Sequence, residues 1–141
     1  MIISIGSDHS GFELKLEIIE HLKAQGHTVK DVGAFSKEPC DYPDITKLVC
    51  DQILDKEAEK GVLICGTGIG MSICANRNAG IRAALCTTEQ MASKSRLHND
   101  ANIIVLGAKI LDAKTSLKFI DIFFQEKFEG GRHVARLNKF N

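Results

Sequence analysis

Neither sign of charge dominates this chain: 18 Lys and Arg residues balance 18 Asp and Glu over 141 residues. Bulk basicity for nucleic acid and an acidic tail are both excluded, so any anionic ligand has to be met by local groups. Long hydrophobic runs are also missing, and none approaches the length that spans a membrane. The first residues, Met1-Ile2-Ile3-Ser4-Ile5-Gly6, have no basic lead, no extended apolar core and no small-residue cleavage pattern. A soluble, unexported protein with no membrane partner is expected. Cysteine pairs of the C-x-x-C type are absent. The five cysteines, Cys40, Cys50, Cys65, Cys74 and Cys86, are odd in number and fit neither a disulfide framework nor a zinc site, so reduced cytoplasm is the expected setting. There is no internal repeat and no low-complexity stretch. With 44% hydrophobic and 26% charged residues, the length suits one globular domain, 1–141, and leaves no room for a second.

What is present is an alternation of strand and helix signals. Strands are expected at 2–6, 28–32, 61–65, 81–86 and 102–106. The helix after the first strand places Phe12, Leu16, Ile18, Ile19 and Leu22 on its apolar face and stops at Gly26. Further helices are expected near 44–56, behind the glycine loop to about residue 78, from a Thr87/Gln90 capping box to His98-Asn99-Asp100, and from 113 to 128. The last carries Leu117, Ile120, Phe123 and Phe124 and is closed by Gly130-Gly131. Apolar strands between amphipathic helices predict a three-layer α/β/α sandwich, Rossmann-like, with a five-stranded parallel sheet and a helical C-terminal tail. Periodicity does not give the strand order.

The segment Val62-Leu63-Ile64-Cys65-Gly66-Thr67-Gly68-Ile69-Gly70 ends a strand at a cysteine and passes through three glycines at alternate positions. Backbone N–H groups bared by such a turn would face a ligand oxygen and favour a thiolate at Cys65. Taken alone, Cys65 could be only a small core hydrophobe and the glycines only strain relief. In a parallel sheet, ligands bind beyond the carboxyl ends of the strands, which would bring Ser7-Asp8-His9-Ser10-Gly11 to the same crevice as Cys65. Asp8 could equally be a helix cap, His9 a surface residue, His98 a helix C-terminal cation and Asn99 a left-handed cap. Arg132 and Arg136, four apart on a helix, can converge on one phosphate dianion or simply be solvated.

Together, Ser7-Asp8-His9-Ser10-Gly11, the Cys65-to-Gly70 loop, His98-Asn99 and Phe128-Glu129-Gly130-Gly131-Arg132-His133 resemble the type B ribose-5-phosphate isomerase family from end to end. That resemblance implies an aldose-ketose isomerase interconverting ribose 5-phosphate and ribulose 5-phosphate with neither metal nor organic cofactor. It implies Cys65 as the base acting through an enediolate, with the N–H groups of Gly66, Thr67, Gly68, Ile69 and Gly70 holding the oxyanion. His98 would help open the furanose, Asp8 would contact sugar hydroxyls, and Thr67 would hydrogen-bond near the thiol. His9, Arg132 and Arg136 would grip the phosphate. It also implies a homodimer with shared sites, the His98-Asn99 region coming from the neighbour, or a tetramer built on it. The apolar face around Phe123 and Phe124 would suit such packing, as would burial within one chain.

Two departures from the family pattern stand out. Lys109 occupies a position where many members have a phosphate-assisting arginine, keeping charge but losing the planar fork. Met71 stands where one branch has a catalytic glutamate, so this chain should use Cys65 as its base. Rival readings are a hexose phosphate isomerase acting on allose or galactose 6-phosphate, and a noncatalytic sugar-phosphate sensor. A dinucleotide site is disfavoured because the third glycine of G-x-G-x-x-G falls on Met71.

Overall fold

A computed structural model of the chain describes residues 1–140. Five strands, β1 (Ile2–Ser7), β2 (Thr28–Asp31), β3 (Lys60–Cys65), β4 (Ala83–Leu85) and β5 (Ile103–Gly107), form one wholly parallel sheet. Their order is β2-β1-β3-β5-β4. Six helices connect or follow them: α1 (Phe12–Ala24), α2 (Tyr42–Leu54), α3 (Ile69–Ala75), α4 (Glu89–Leu97), α5 (Ala113–Gln125) and α6 (Arg132–Leu137). Strand alternation builds the predicted three layers. Val62, Ile64, Ile104 and Leu106 point into a core with Ile18 and Leu22 of α1, Ala92 of α4 and Phe119, Ile120 and Phe123 of α5. Leu63, Cys65, Ile103 and Val105 point the other way, onto Val49 and Cys50 of α2 and Met71 and Ala75 of α3. The tail forms α6, as expected.

Several local expectations need correction. Leu16 is 44% exposed, whereas Leu14 and Lys15 join Ile18, Ile19 and Leu22 on the buried face. Successive residues are about 100° apart around a helix, which turns Leu16 away from the sheet once Lys15 faces it. Lys15 is tolerated there because its ammonium donates to Asp31 Oδ1 at 2.7 Å and to the Ala34 carbonyl at 2.5 Å. The cap of α4 is Thr88, not Thr87; its Oγ1 accepts the Met91 N–H at 3.1 Å. Helix α5 ends at Gln125, three residues early, because Glu126 turns to extended backbone. Its aromatic face is used within the chain: Phe123 is fully buried and Phe124 packs half-buried against the same core.

Candidate active site

Chain connections run outward in opposite directions from the neighbouring strands β1 and β3, which makes their carboxyl ends the switch point where such sheets bind ligands. Asp8 follows β1 and ties its loop to β3 by an N–H bond to the Ile64 carbonyl at 3.1 Å. Its Oδ1 accepts the Ser10 and Gly11 N–H groups at 2.9 and 3.1 Å, capping a single 3-10 turn (His9–Gly11). Capping leaves Oδ2 without a hydrogen bond among the described residues. The carboxylate is thus held rigidly while one oxygen stays available. His9 Nδ1 accepts the Cys40 N–H at 3.2 Å, which makes Nε2 the proton-bearing nitrogen. Cys40 was not singled out by sequence, because nothing in its neighbours signals a loop folding back over 31 positions.

Cys65 ends β3 and is 5% exposed. Its sulfur accepts the Gly68 N–H at 3.2 Å. Gly68 has φ +80°, and a β-carbon there would lie 2.5 Å from Leu85 Cδ1 and 3.2 Å from the Leu106 carbonyl carbon. Only glycine allows the turn that aims this N–H at sulfur. A β-carbon on Gly70 would meet the Tyr42 ring at 2.6 Å, so α2 closes one side of the loop. Tyr42 is a wall that sequence reading missed. The Thr67 hydroxyl accepts the Ile69 N–H at 3.3 Å, stiffening the loop, while Gly68 supplies the bond to sulfur. The loop after β5 locks on through N–H bonds from Ala108 to the Cys65 carbonyl at 2.8 Å and from Lys109 to the Gly66 carbonyl at 2.9 Å. A β-carbon on Gly66 would come within 3.6 Å of Lys109 Cδ and 3.9 Å of Ser10 Cβ. Three loops therefore gather Asp8, His9, Cys65, the glycines and Lys109.

The remaining candidates lie elsewhere. His98 and Asn99 follow α4, at the end of the sheet where β5 begins. Cys65 pairs with Gly107 and Gly61 with Ile103, four residues away along the strand. At about 3.3 Å per residue that separates the two ends by roughly 13 Å. The Glu129 N–H bonds the Leu97 carbonyl at 3.1 Å and pins the tail beside His98. His98 stacks on His133 with ring centroids 4.2 Å apart and planes 18° apart. Desolvation first, and then the neighbouring His133, holds His98 below the usual imidazole range, which favours a neutral ring at neutral pH. Arg132 and Arg136 are exposed on α6, with no ion-pair partner among the described residues. Asn99 lines a cavity of about 740 Å³ with Asn76, Arg82 and Phe140. One chain thus holds two clusters at opposite ends of the sheet: a thiol, a carboxylate and an N–H cradle at one, and imidazoles and guanidiniums at the other.

A sequence profile described as Ribose/Galactose Isomerase matches residues 3–140. The chain belongs to the ribose/galactose isomerase family. Within it, ribose-5-phosphate isomerase B of Escherichia coli is 42% identical over 96% of this chain and 91% of its own length. A crystal structure of a Thermotoga maritima ribose 5-phosphate isomerase, 47% identical, superposes with a TM-score of 0.97 over 99% of this chain and 96% of the other. A Mycoplasma genitalium ribose-5-phosphate isomerase B structure with bound ribulose-5-phosphate, 39% identical, gives 0.93 over 98% of this chain and 92% of the other. The family's five-stranded parallel α/β architecture is therefore this chain's own.

Proposed function

We propose that the chain interconverts D-ribose 5-phosphate and D-ribulose 5-phosphate. The observation that carries the reading is the buried Gly68 N–H to Cys65 Sγ bond inside a glycine cradle, in a chain whose family relatives are named for this isomerisation. In the open-chain aldose, the Cys65 thiolate removes the proton from C2. Electrons move onto the C1 carbonyl oxygen, and the resulting enediolate is held by N–H groups of the 66–70 loop. The thiol gives a proton back at C1 while the C2 hydroxyl passes its own proton to the C1 oxygen and becomes the ketone, so the step is redox-neutral, and solvent hydrogen enters whenever the thiol exchanges before the return. Asp8 contacts sugar hydroxyls through its free oxygen, and His9, whose Nδ1 is taken by the Cys40 N–H, has Nε2 left to bind the phosphate. Lys109, exposed beside Gly66, adds positive charge without a guanidinium's fork.

Ring opening and phosphate grip require the other half-site, which a second copy of the chain supplies. His98 acts on the furanose and Arg132 and Arg136 on the phosphate, each across a two-fold dimer interface. Ile69 and Ile73 on α3 and Ile110 in the loop after β5 are 54%, 62% and 55% exposed, giving the rim of the Cys65 end an apolar surface for that contact. The five thiols, free of disulfides, support a reducing, cytoplasmic setting.

The test is turnover of ribose 5-phosphate by the wild type and Cys65→Ala in deuterium oxide. Wild type should equilibrate aldose and ketose and take up deuterium at the transferred carbon, and Cys65→Ala should do neither while still binding substrate. Binding without turnover or exchange in the wild type would show a sensor instead. Rates on ribose, allose and galactose phosphates, measured side by side, separate pentose from hexose preference, since an added carbon shifts specificity by only about 1–3 kcal/mol.

A further inference from the structure

His98, Glu129 and His133 place one ligand atom each within 4.8 Å of the others. The Glu129 Oε2 oxygen lies 3.4 Å from His133 Nε2 and 3.9 Å from His98 Nε2. Two ligands about 2.1 Å from one tetrahedral cation stand about 3.4 Å from each other, so the Glu129 and His133 atoms already have the spacing of a coordinated pair. A second observation is independent of the cluster's composition. His133 is 5% exposed, and its Nε2 is buried with no hydrogen-bond partner. Buried polar atoms in native proteins are nearly always satisfied, so this nitrogen is a free ligand atom aimed into the cluster. Its surroundings are rigid: the Glu129 N–H is bonded to Leu97, and the His133 N–H to the Gly130 carbonyl at 3.2 Å.

We propose that His98, Glu129 and His133 bind a divalent transition cation of the zinc type, and that occupancy withdraws His98 from ring opening. Two imidazoles and one carboxylate suit zinc, cobalt, nickel or copper; magnesium and calcium prefer all-oxygen shells. Stacked rings do not converge on one point, so half-buried His98 turns out of the stack to reach the cation while buried His133 stays packed. A fourth position remains open to water or a substrate oxygen. The inhibitory consequence rests on the isomerase reading, whereas cation binding does not.

The experiment titrates cobalt(II) into the full-length protein without substrate, followed by absorption and calorimetry. Zinc inhibition of ribose 5-phosphate turnover and its reversal by chelator are then measured on the same samples. One cobalt per chain is expected, with nitrogen and oxygen ligation and no thiolate charge-transfer band, in the wild type and in Cys65→Ala alike. Affinity should fall by more than about tenfold in both Glu129→Gln and His133→Ala, and zinc should inhibit residual turnover of Glu129→Gln correspondingly less. Glu129→Gln keeps the side chain's size and so serves if His133→Ala does not fold. No binding, binding unchanged in Glu129→Gln, or binding lost in Cys65→Ala overturns the site. Binding without inhibition overturns its role at His98. Cobalt binding by a protein that turns over no sugar phosphate would sink the isomerase reading alone.

Discussion

At the scale of single residues, the five thiols are chemically unlike because their surroundings differ. Cys65 receives an N–H bond at the mouth of a loop, whereas Cys50 and Cys86 are sealed in the two cores with no exposure. Burial pushes the Cys50 thiol up to about 11 and the Cys86 thiol up to about 12, from an ordinary 9.0. A raised folded-state value means that the unfolded chain loses these protons first. Their contribution to stability is therefore complete below pH 9.0 and is lost as pH climbs through about 11 and about 12. Each thiol should steepen the decline by about 1.4 kcal/mol per pH unit in that window. Urea midpoints measured from neutral pH upward should fall beyond about pH 9, and less steeply in Cys86→Ala, which has nothing to ionise. An identical slope for the variant would mean that Cys86 is hydrated in the folded state.

The strand-turn-helix unit β3-loop-α3 is the element on which the proposed chemistry turns. Gly68→Ala tests it, because the left-handed φ of +80° and the close Leu85 and Leu106 atoms leave no room for a methyl group. The loop must shift, and with it the only hydrogen bond on the Cys65 sulfur among the described residues. kcat should fall by about a hundredfold, the usual effect of one lost donor, with a smaller change in KM because the arginines proposed to grip the phosphate lie elsewhere. Trimming Leu85 to Ala in the same protein should restore little, since backbone strain persists; full recovery would assign the defect to crowding alone. Elements like this one were legible in sequence because three glycines after an apolar run have few other uses. Element edges were less so: Thr87 and Thr88 are both eligible caps, and it is the extended backbone at Thr88, whose Oγ1 accepts the Met91 N–H, that sets the start of α4. Leu16 and Lys15 exchanged roles for a similar reason, since Asp31, which neutralises the buried lysine, lies 16 residues away in sequence.

At the scale of the molecule, alternating strands and helices predicted the layers, but the order β2-β1-β3-β5-β4 depends on contacts between distant strands that periodicity does not encode. That order sets Asp8 and Cys65 side by side at the switch point while β5, entering between β3 and β4, carries His98, Asn99 and the tail to the opposite end. Motifs that the sequence reading assigned to one site shared between two chains are divided between two ends of one sheet, so the proposed site is complete only where a second copy brings its guanidinium end to the thiol end. Mixing two defective variants measures this directly. Cys65→Ala spoils one end, and the double variant Arg132→Ala, Arg136→Ala spoils the other. A heterodimer of the two has one site with both defects and one with neither. Random reassortment makes half of the dimers mixed, each with half of its sites intact, so co-refolded protein should recover about a quarter of wild-type turnover at limiting substrate. Recovery should follow the fraction of heterodimer isolated through two different affinity tags. Mixed dimers no more active than their parents would mean that no site is shared between two chains.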